Sequence, residues 1–519
     1  MLRRHINPLE SPIYRLPLDL FPEIVSHLTN ETDLVNTTHV SYHLRNTLLS
    51  YQSLWSHLDF QHERRAWAFF ERSGKTPLHI VMPWDTNRTA SSLVELHQQS
   101  KRVAMLKLRH WSVQYKFLSE SLPSLKKLEI SAHRRGNVWD ANWDTSWAPV
   151  WGRTEKVTSW SFPSLTSLIV YNLDPTPFYT PHLTCFKFWD VERLADTSTI
   201  LGFLGNCPLL EHIDILSDER WGKQDSVVSL PNLCTYTETT FDQVCPTTVL
   251  NMLSLPLSCS VTLRPQNRET AAEVDDVLPD FKNLDYVTEI KRVKLRMAYS
   301  AHRNEVTGTL ELVNAKGTKI CLERTSFVDE KCRPPLQEDE RHTHTVVHLN
   351  FFRNLDGQSV ETLCIDGCVY PDEVTVGFLK EALGFGNVRT LILSNSAVEP
   401  CLSALNRKPD ASDHGRWFSP IHTLIIRPDT SRFFVTPRIL RPLLSVAEMR
   451  KEAGFPFQSV SLFLRYSLEC HPAWVSKRLR RCVEKLEVMV GDDILDWDVD
   501  KYFLDGLDHL QKNRDVQWE

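Results

Sequence analysis

The stretch Leu122-Pro123-Ser124-Leu125-Lys126-Lys127-Leu128-Glu129-Ile130 sets a pattern that most of the chain follows. Leu125, Leu128 and Ile130 fall as apolar-x-x-apolar-x-apolar, after a Pro and a polar residue. In an extended strand alternate side chains share a face, so Leu128 and Ile130 point one way and Lys127 and Glu129 the other. Pro123 stands ahead of the strand, where a missing N–H is tolerated. The pattern recurs upstream at Val103/Leu106/Leu108. Downstream it recurs at Leu165/Leu168/Val170, Leu183/Phe186/Phe188, Leu210/Ile213/Ile215 and Ile290/Val293/Leu295. It continues at Val360/Leu363/Ile365, Val388/Leu391/Leu393, Ile421/Leu424/Ile426, Phe457/Val460/Leu462 and Val483/Leu486/Val488. Leu233/Tyr236 and Val261/Leu263 are degenerate copies. Most early steps are 18 to 27 residues; one step of 40, from 125 to 165, implies an insertion at 133–160. A single strand–loop–helix unit cannot bury its own apolar face, but stacked neighbours can. The spacing predicts an α/β chain built as an irregular solenoid with a parallel sheet. From Met297 to Ser359 there is no clean copy. There Thr307–Val313 and Thr318–Leu322 read as a β-hairpin turning at Asn314-Ala315-Lys316-Gly317.

The N-terminal stretch has a different period. Phe21, Ile24, Val25 and Leu28 fall at i, i+3, i+4 and i+7, one stripe of a helix, with Pro17 and Pro22 suited to its entry and first turn. Asn30 to Asp33 offers caps before Leu34 and Val35, and Ser41 can cap a third helix carrying Leu44, Leu48 and Leu49. Trp55 follows as a large anchor. Three helices this short are near the lower limit for folding alone. Two readings follow: a docking module that needs a partner, or a helical subdomain packed on its own chain.

The order of residues from 14 to 58 resembles an F-box: Leu16-Pro17, Glu23 before Ile24-Val25, Leu28, Asp33-Leu34, Val40-Ser41 and Leu54-Trp55. Ser41-Tyr42-His43-Leu44-Arg45 departs from the family's usual segment, with Leu44 in place of a Trp. The irregular units behind it resemble divergent leucine-rich repeats without the consensus Asn. This resemblance implies a short three-helix F-box module followed by a leucine-rich-repeat solenoid. It also implies docking on a Skp-family adaptor, and through it on a cullin–RING ligase. Leu16, Pro17, Ile24, Val25, Leu28, Leu34, Val40 and Trp55 would be the adaptor-facing and core positions. The divisions expected are an F-box-like module at 12–60, a linker region at 61–100 with a short helix through Ala66, Trp67 and Phe70, and repeats at 101–295. An irregular insertion with the hairpin follows at 296–358, and further repeats with a C-terminal cap at 359–519.

Composition narrows the function classes. The chain has 519 residues with 42% hydrophobic content, beyond the usual single core. A net charge of −6 gives no electrostatic case for nucleic acid. Twelve scattered cysteines fit reduced thiols. No signal peptide and no apolar run of membrane-spanning length is found, so neither membrane nor export is expected, and the localisation expected is cytoplasm and/or nucleus.

The motifs of bond chemistry are incomplete. Gly384-Phe385-Gly386 lacks the third glycine of a dinucleotide turn, and His62-Glu63 lacks a second His at Ala66. Asp496, Asp498 and Asp500 open like a calcium loop, but Lys501 and Leu507 stand where Gly and Glu are required. His342, His344, His348, Cys364 and Cys368 are zinc-ligand types at loose spacing. No catalytic residue, metal or cofactor is expected. Lys477, Arg478, Arg480 and Arg481 read as a solvated helix face, with a nuclear-import signal as the alternative. Trp139, Trp143, Trp147 and Trp151 recur every fourth residue in the insertion. They are either a substrate-binding hot spot or cover for the solenoid core. The strand positions between the inward residues, among them Lys127, Glu129, Cys185, Lys187, His212, Asp214, Lys294, Thr362, Thr390 and Thr423, are expected to face outward as a protein-binding surface. The reading implied is a non-enzymatic substrate receptor of an SCF-type E3 ubiquitin ligase for an unknown protein substrate. Its rival is an interaction scaffold acting outside ubiquitination.

Overall fold

The computed structural model describes residues 17, 20–27, 31–82, 96, 98–108, 122–131, 162–190, 197–217, 227–240, 247–250, 252–265, 290–300, 305–327, 359–367, 387–395, 397–406, 421–428, 435–464 and 473–490. The chain is mixed α/β, with mostly parallel strands and few helices. It divides into two compact units, Met1–Leu210 and Glu211–Glu519.

The first unit opens with α1 (Leu20–Ser26), α2 (Glu31–Val40) and α3 (Tyr42–Ser50). Ser41 caps α3 as expected, its hydroxyl accepting from Leu44 N at 3.1 Å. A 3-10 turn at Gln52–Trp55 leads straight into β1 (His57–Asp59), α4 (Glu63–Arg72) and β2 (Leu78–Met82). Then come β3 (Val103–Leu108), β4 (Lys127–Ser131), β5 (Ser167–Tyr171), β6 (Cys185–Asp190) and α5 (Thr197–Gly205). β1 to β6 pair in chain order, all parallel. Their register aligns Leu58, Ile80, Leu106, Leu128, Leu168 and Phe186 in one buried row, with Met82, Leu108, Ile130, Val170 and Phe188 in a second. Phe203 of α5 closes on Phe186, ring centroids 4.5 Å apart. Each large apolar residue buried in these rows stabilises the fold by about 1.5–3 kcal/mol, which a lone strand could not obtain.

The register also exposes two units that the sequence pattern does not mark. Three before and two after Leu58 stand Trp55 and Phe60, so Trp55/Leu58/Phe60 is itself an apolar-x-x-apolar-x-apolar triple, all of it buried. The next would be Pro77/Ile80/Met82, where Pro77 hides the first position.

The second unit contains β7 (His212–Ser217), β9 (Thr235–Thr240), β11 (Ser260–Pro265), β12 (Ile290–Ser300), β13 (Glu305–Asn314) and β14 (Lys319–Phe327). β15 (Thr362–Asp366), β16 (Thr390–Asn395), β17 (Thr423–Pro428), β18 (Ser459–Leu464) and β19 (Lys485–Val490) follow. A separate parallel pair joins β8 (Val228–Ser229) to β10 (Leu253–Ser254). The helices are α6 (Thr247–Leu250), α7 (Val398–Leu405), α8 (Val435–Glu452) and α9 (Ala473–Cys482). α8 packs against both α7 and α9.

The expected hairpin forms as β13 and β14. Asn314 Oδ1 accepts from Lys316 N and Thr318 N at 2.9 and 2.8 Å, and Gly317 takes φ +85°. It is part of the main sheet. β11 pairs in parallel with β14, the hairpin runs β14–β13–β12 antiparallel, and β12 pairs in parallel with β15. The chain therefore lays β12 three places beyond β11 and folds back to fill the gap. The inward rows continue without a break: Val261, Ile320, Leu312, Val293 and Leu363 in one, Leu263, Leu322, Leu310, Leu295 and Ile365 in the other. From there Leu391/Leu393, Ile426 with Leu424, Val460/Leu462 and Leu486/Val488 extend both rows to β19. Asn172 and Asn395 each take a positive φ, 52° and 53°, two residues after the last inward side chain of β5 and β16. That shared left-handed exit is one asparagine tolerates well.

Two of the positions expected to face outward are buried instead. Lys294 is 1% exposed and Thr390 7%. The register sets Lys294 beside Glu311, which also holds Lys319 Nζ at 3.1 Å. Along β15 to β18 the alternate positions Cys364, Ile392, Ile425 and Ser461 are buried as well, so this part of the sheet is covered on both faces.

Candidate interaction surface

The described helices of the first unit split the expected site residues into two groups. Val25, Leu34 and Trp55 are buried, together with Leu44 and Leu48 of α3. Pro17 is exposed, and so are Ile24 at 50% and Val40 at 71%. Leu16 and Leu28 lie outside the described residues, as do Trp139, Trp143, Trp147 and Trp151, and His342, His344, His348, Cys368 and Asp496, Asp498 and Asp500. The single stripe expected on α1 is therefore divided: Val25 faces the helical core and Ile24 faces away from it. Leu20, four residues before Ile24 and on the same side of α1, is also exposed, as is Tyr42 at the start of α3. Among the described residues nine large apolar side chains are exposed, and four of them, Leu20, Ile24, Val40 and Tyr42, fall within 23 residues of sequence. This concentration in sequence makes the N-terminal helices the candidate interaction surface among the described residues. Leu20 was readable from its i, i+4 spacing to Ile24, whereas Tyr42, which opens a separate helix two residues after Val40, carried no such signal.

Behind this surface the module is fastened to the sheet. Trp55 Nε1 donates to Leu48 O at 2.9 Å, its ring meets Phe69 of α4 edge-on at 4.9 Å, and the Arg72 guanidinium lies 5.2 Å from the ring centre. Arg65 of α4 donates to Thr32 Oγ1 of α2 at 3.3 Å. α4 ends near Gly74, whose φ of +55° suits a glycine and where a Cβ would have to push the Gln52 side-chain amide aside. Arg102, just before β3, reaches back to Thr76 O at 3.1 Å and Ser73 Oγ at 2.8 Å and lies over the Phe70 ring. His79 N donates to Ser56 O at 2.9 Å. The segment 61–82 is thus a packed joint of helix and strand.

The outward positions of β3 to β6 are mixed and half-buried, except Ile169, which is buried. Lys107 pairs with Glu129, and Tyr171 and Trp189 meet edge-on at 4.9 Å. At the ends of β15 and β16, Asp366 accepts from Ser394 Oγ at 2.7 Å and Asn395 Nδ2 at 2.5 Å and faces Arg296 at 3.5 Å. That carboxylate is fully engaged in holding strand ends. Among the described residues no group of three metal-ligating side chains converges, and the eight described cysteines are unpaired. Burial pushes the thiols of Cys259, Cys364 and Cys401 up to about 12, and those of Cys207 and Cys321 up to about 11, far from the thiolate form a nucleophile needs. On α9 the cations Lys477, Arg478, Arg480 and Arg481 are exposed, Arg478 pairing with Glu448. No described helix is long and apolar enough to cross a membrane. No protein-family model matches the chain, and no curated protein matches it.

Proposed function

We propose that the chain is the substrate-recognition subunit of an SCF-type ubiquitin ligase. Its N-terminal helices dock a Skp-family adaptor in the manner of an F-box, and divergent leucine-rich repeats hold a protein substrate. The observation that carries this reading is the exposure of Leu20, Ile24, Val40 and Tyr42 on helices whose own core, Val25, Leu34, Leu44, Leu48 and Trp55, is already closed. Covering the part of each side chain that is still exposed is worth about 1–2 kcal/mol before the costs of association. The packed joint at 61–82 supports the same reading, because a receptor acts by holding its cargo at a fixed reach from an enzyme bound elsewhere. It raises the effective concentration of substrate lysines and performs no bond chemistry itself.

The test is recovery of the chain from cells together with its bound proteins. Co-purification of adaptor and cullin, with ubiquitin conjugates on the other bound proteins that vanish in Ile24→Asp, is the expected result. Adaptor binding with no conjugates on any bound protein would move the assignment to a scaffold outside ubiquitination.

A further inference from the structure

Glu238 occupies an inward position of the second unit's sheet that the repeat reserves for an apolar side chain. The register sets it between Ile215 of β7 and Leu263 of β11, in line with the buried row. It is 0% exposed. Tyr236, two residues earlier on the same face of β9 and also fully buried, donates its hydroxyl to Glu238 Oε2 at 2.7 Å. Among the described residues, Oε1 is buried with no hydrogen-bond partner. The neighbours on this face, Ile213 and Ile215 of β7 and Val261 and Leu263 of β11, carry no charge. The ionisable groups of these two strands, His212, Asp214 and Arg264, stand at alternate positions and so on the opposite face of the sheet. Nothing facing the carboxyl on β7 or β11 can therefore compensate an anion.

We infer that Glu238 is held as the neutral acid and acts as a proton-dependent lock on β9, so that losing its proton to solvent loosens the pairing of β7, β9 and β11. A buried carboxylate with one orphan oxygen and no counter-charge is costly, whereas the protonated acid needs only the donor from Tyr236 and a modest desolvation. Burial pushes the carboxyl up to about 8, with the Tyr236 hydrogen bond pulling the other way. The sign follows: the folded pKa lies above the unfolded one, so this stability is fully present below about pH 4.5 and is lost as pH rises through about 8.

The test is amide hydrogen exchange across β7, β9 and β11 from pH 5.5 to 9, corrected for intrinsic rates, in wild type and Glu238→Gln. In wild type the opening equilibrium is expected to rise about tenfold per pH unit up to about 8 and then level, one proton being released per opening. In Glu238→Gln it should change less than about twofold. Parallel pH dependence in both proteins would overturn the inference. Should Glu238→Gln not fold, Tyr236→Phe serves instead. Removing the donor disfavours the anion further, so the levelling point must move to higher pH; an unmoved levelling point counts against the lock.

Discussion

Trp55 is the residue on which the helical module and the sheet both depend. Its indole closes on Leu48, Phe69 and Arg72, and the register makes it the first apolar position of the first strand unit. Replacing it with Ala should cost about 3–5 kcal/mol in chemical denaturation. Trp55→Phe keeps ring packing and loses one N–H bond. Leu48 O keeps its bond from Tyr51 N at 3.2 Å, so with the smaller ring's cavity counted that change should cost about 1–2 kcal/mol, well below the loss for Ala. Equal small losses in both variants would show that the joint is not where stability is concentrated. Ile24, half-exposed on α1, belongs to the opposite class. Ile24→Asp should leave the denaturation midpoint within about 0.5 kcal/mol of wild type, and a larger loss would mean that Ile24 is a core residue.

At the scale of elements, β1 and β2 carry adjacent histidines in register, His57 opposite His79. Partial loss of solvent lowers His57, against the upward pull of Asp59, and lowers His79, helped by His57 and Lys127; both side chains keep an exposed edge, which keeps the effect small. Both folded values lie below the ordinary 6.5, so the stability of the neutral pair is fully present above 6.5 and is lost as pH falls below it. A His57→Gln/His79→Gln variant should therefore show a flatter unfolding midpoint between pH 7 and 5 than wild type; identical slopes would contradict this origin. These two strands also mark where the sequence stopped being readable. Eleven apolar triples predicted strands that form in register, because two inward side chains per strand are a strong local signal. Pro77 masked the triple of β2, and Trp55 had been claimed by the helical motif. The strand order β11–β14–β13–β12–β15 was hidden for a different reason: the hairpin was legible from Asn314 and Gly317, but its place between two parallel strands depends on contacts distant in sequence. The covered second face of β15 to β18 was legible in the unbroken runs Leu391-Ile392-Leu393 and Leu424-Ile425-Ile426, where the period-two reading kept only the flanking threonines. Of the candidate site, the motif gave Ile24 and Val40 but could not separate them from Val25, Leu34 and Trp55, since helical spacing alone does not say which side a partner covers.

For the whole molecule, the proposed reading sets the exposed apolar side chains of the N-terminal helices on the parallel strands to which 61–82 fastens them. Net charge of −6 and the exposed cations of α9 leave the partner's identity to shape and apolar contact more than to long-range charge. The measurement that tests this most directly is co-expression of the full chain with a Skp-type adaptor, as wild type and as Ile24→Asp/Val40→Asp, followed by purification and determination of stoichiometry. The account predicts a one-to-one complex for wild type and none for the variant, with both chains folded and equally stable. A folded wild-type chain that purifies free of adaptor, or a variant that binds it as well as wild type does, would contradict it.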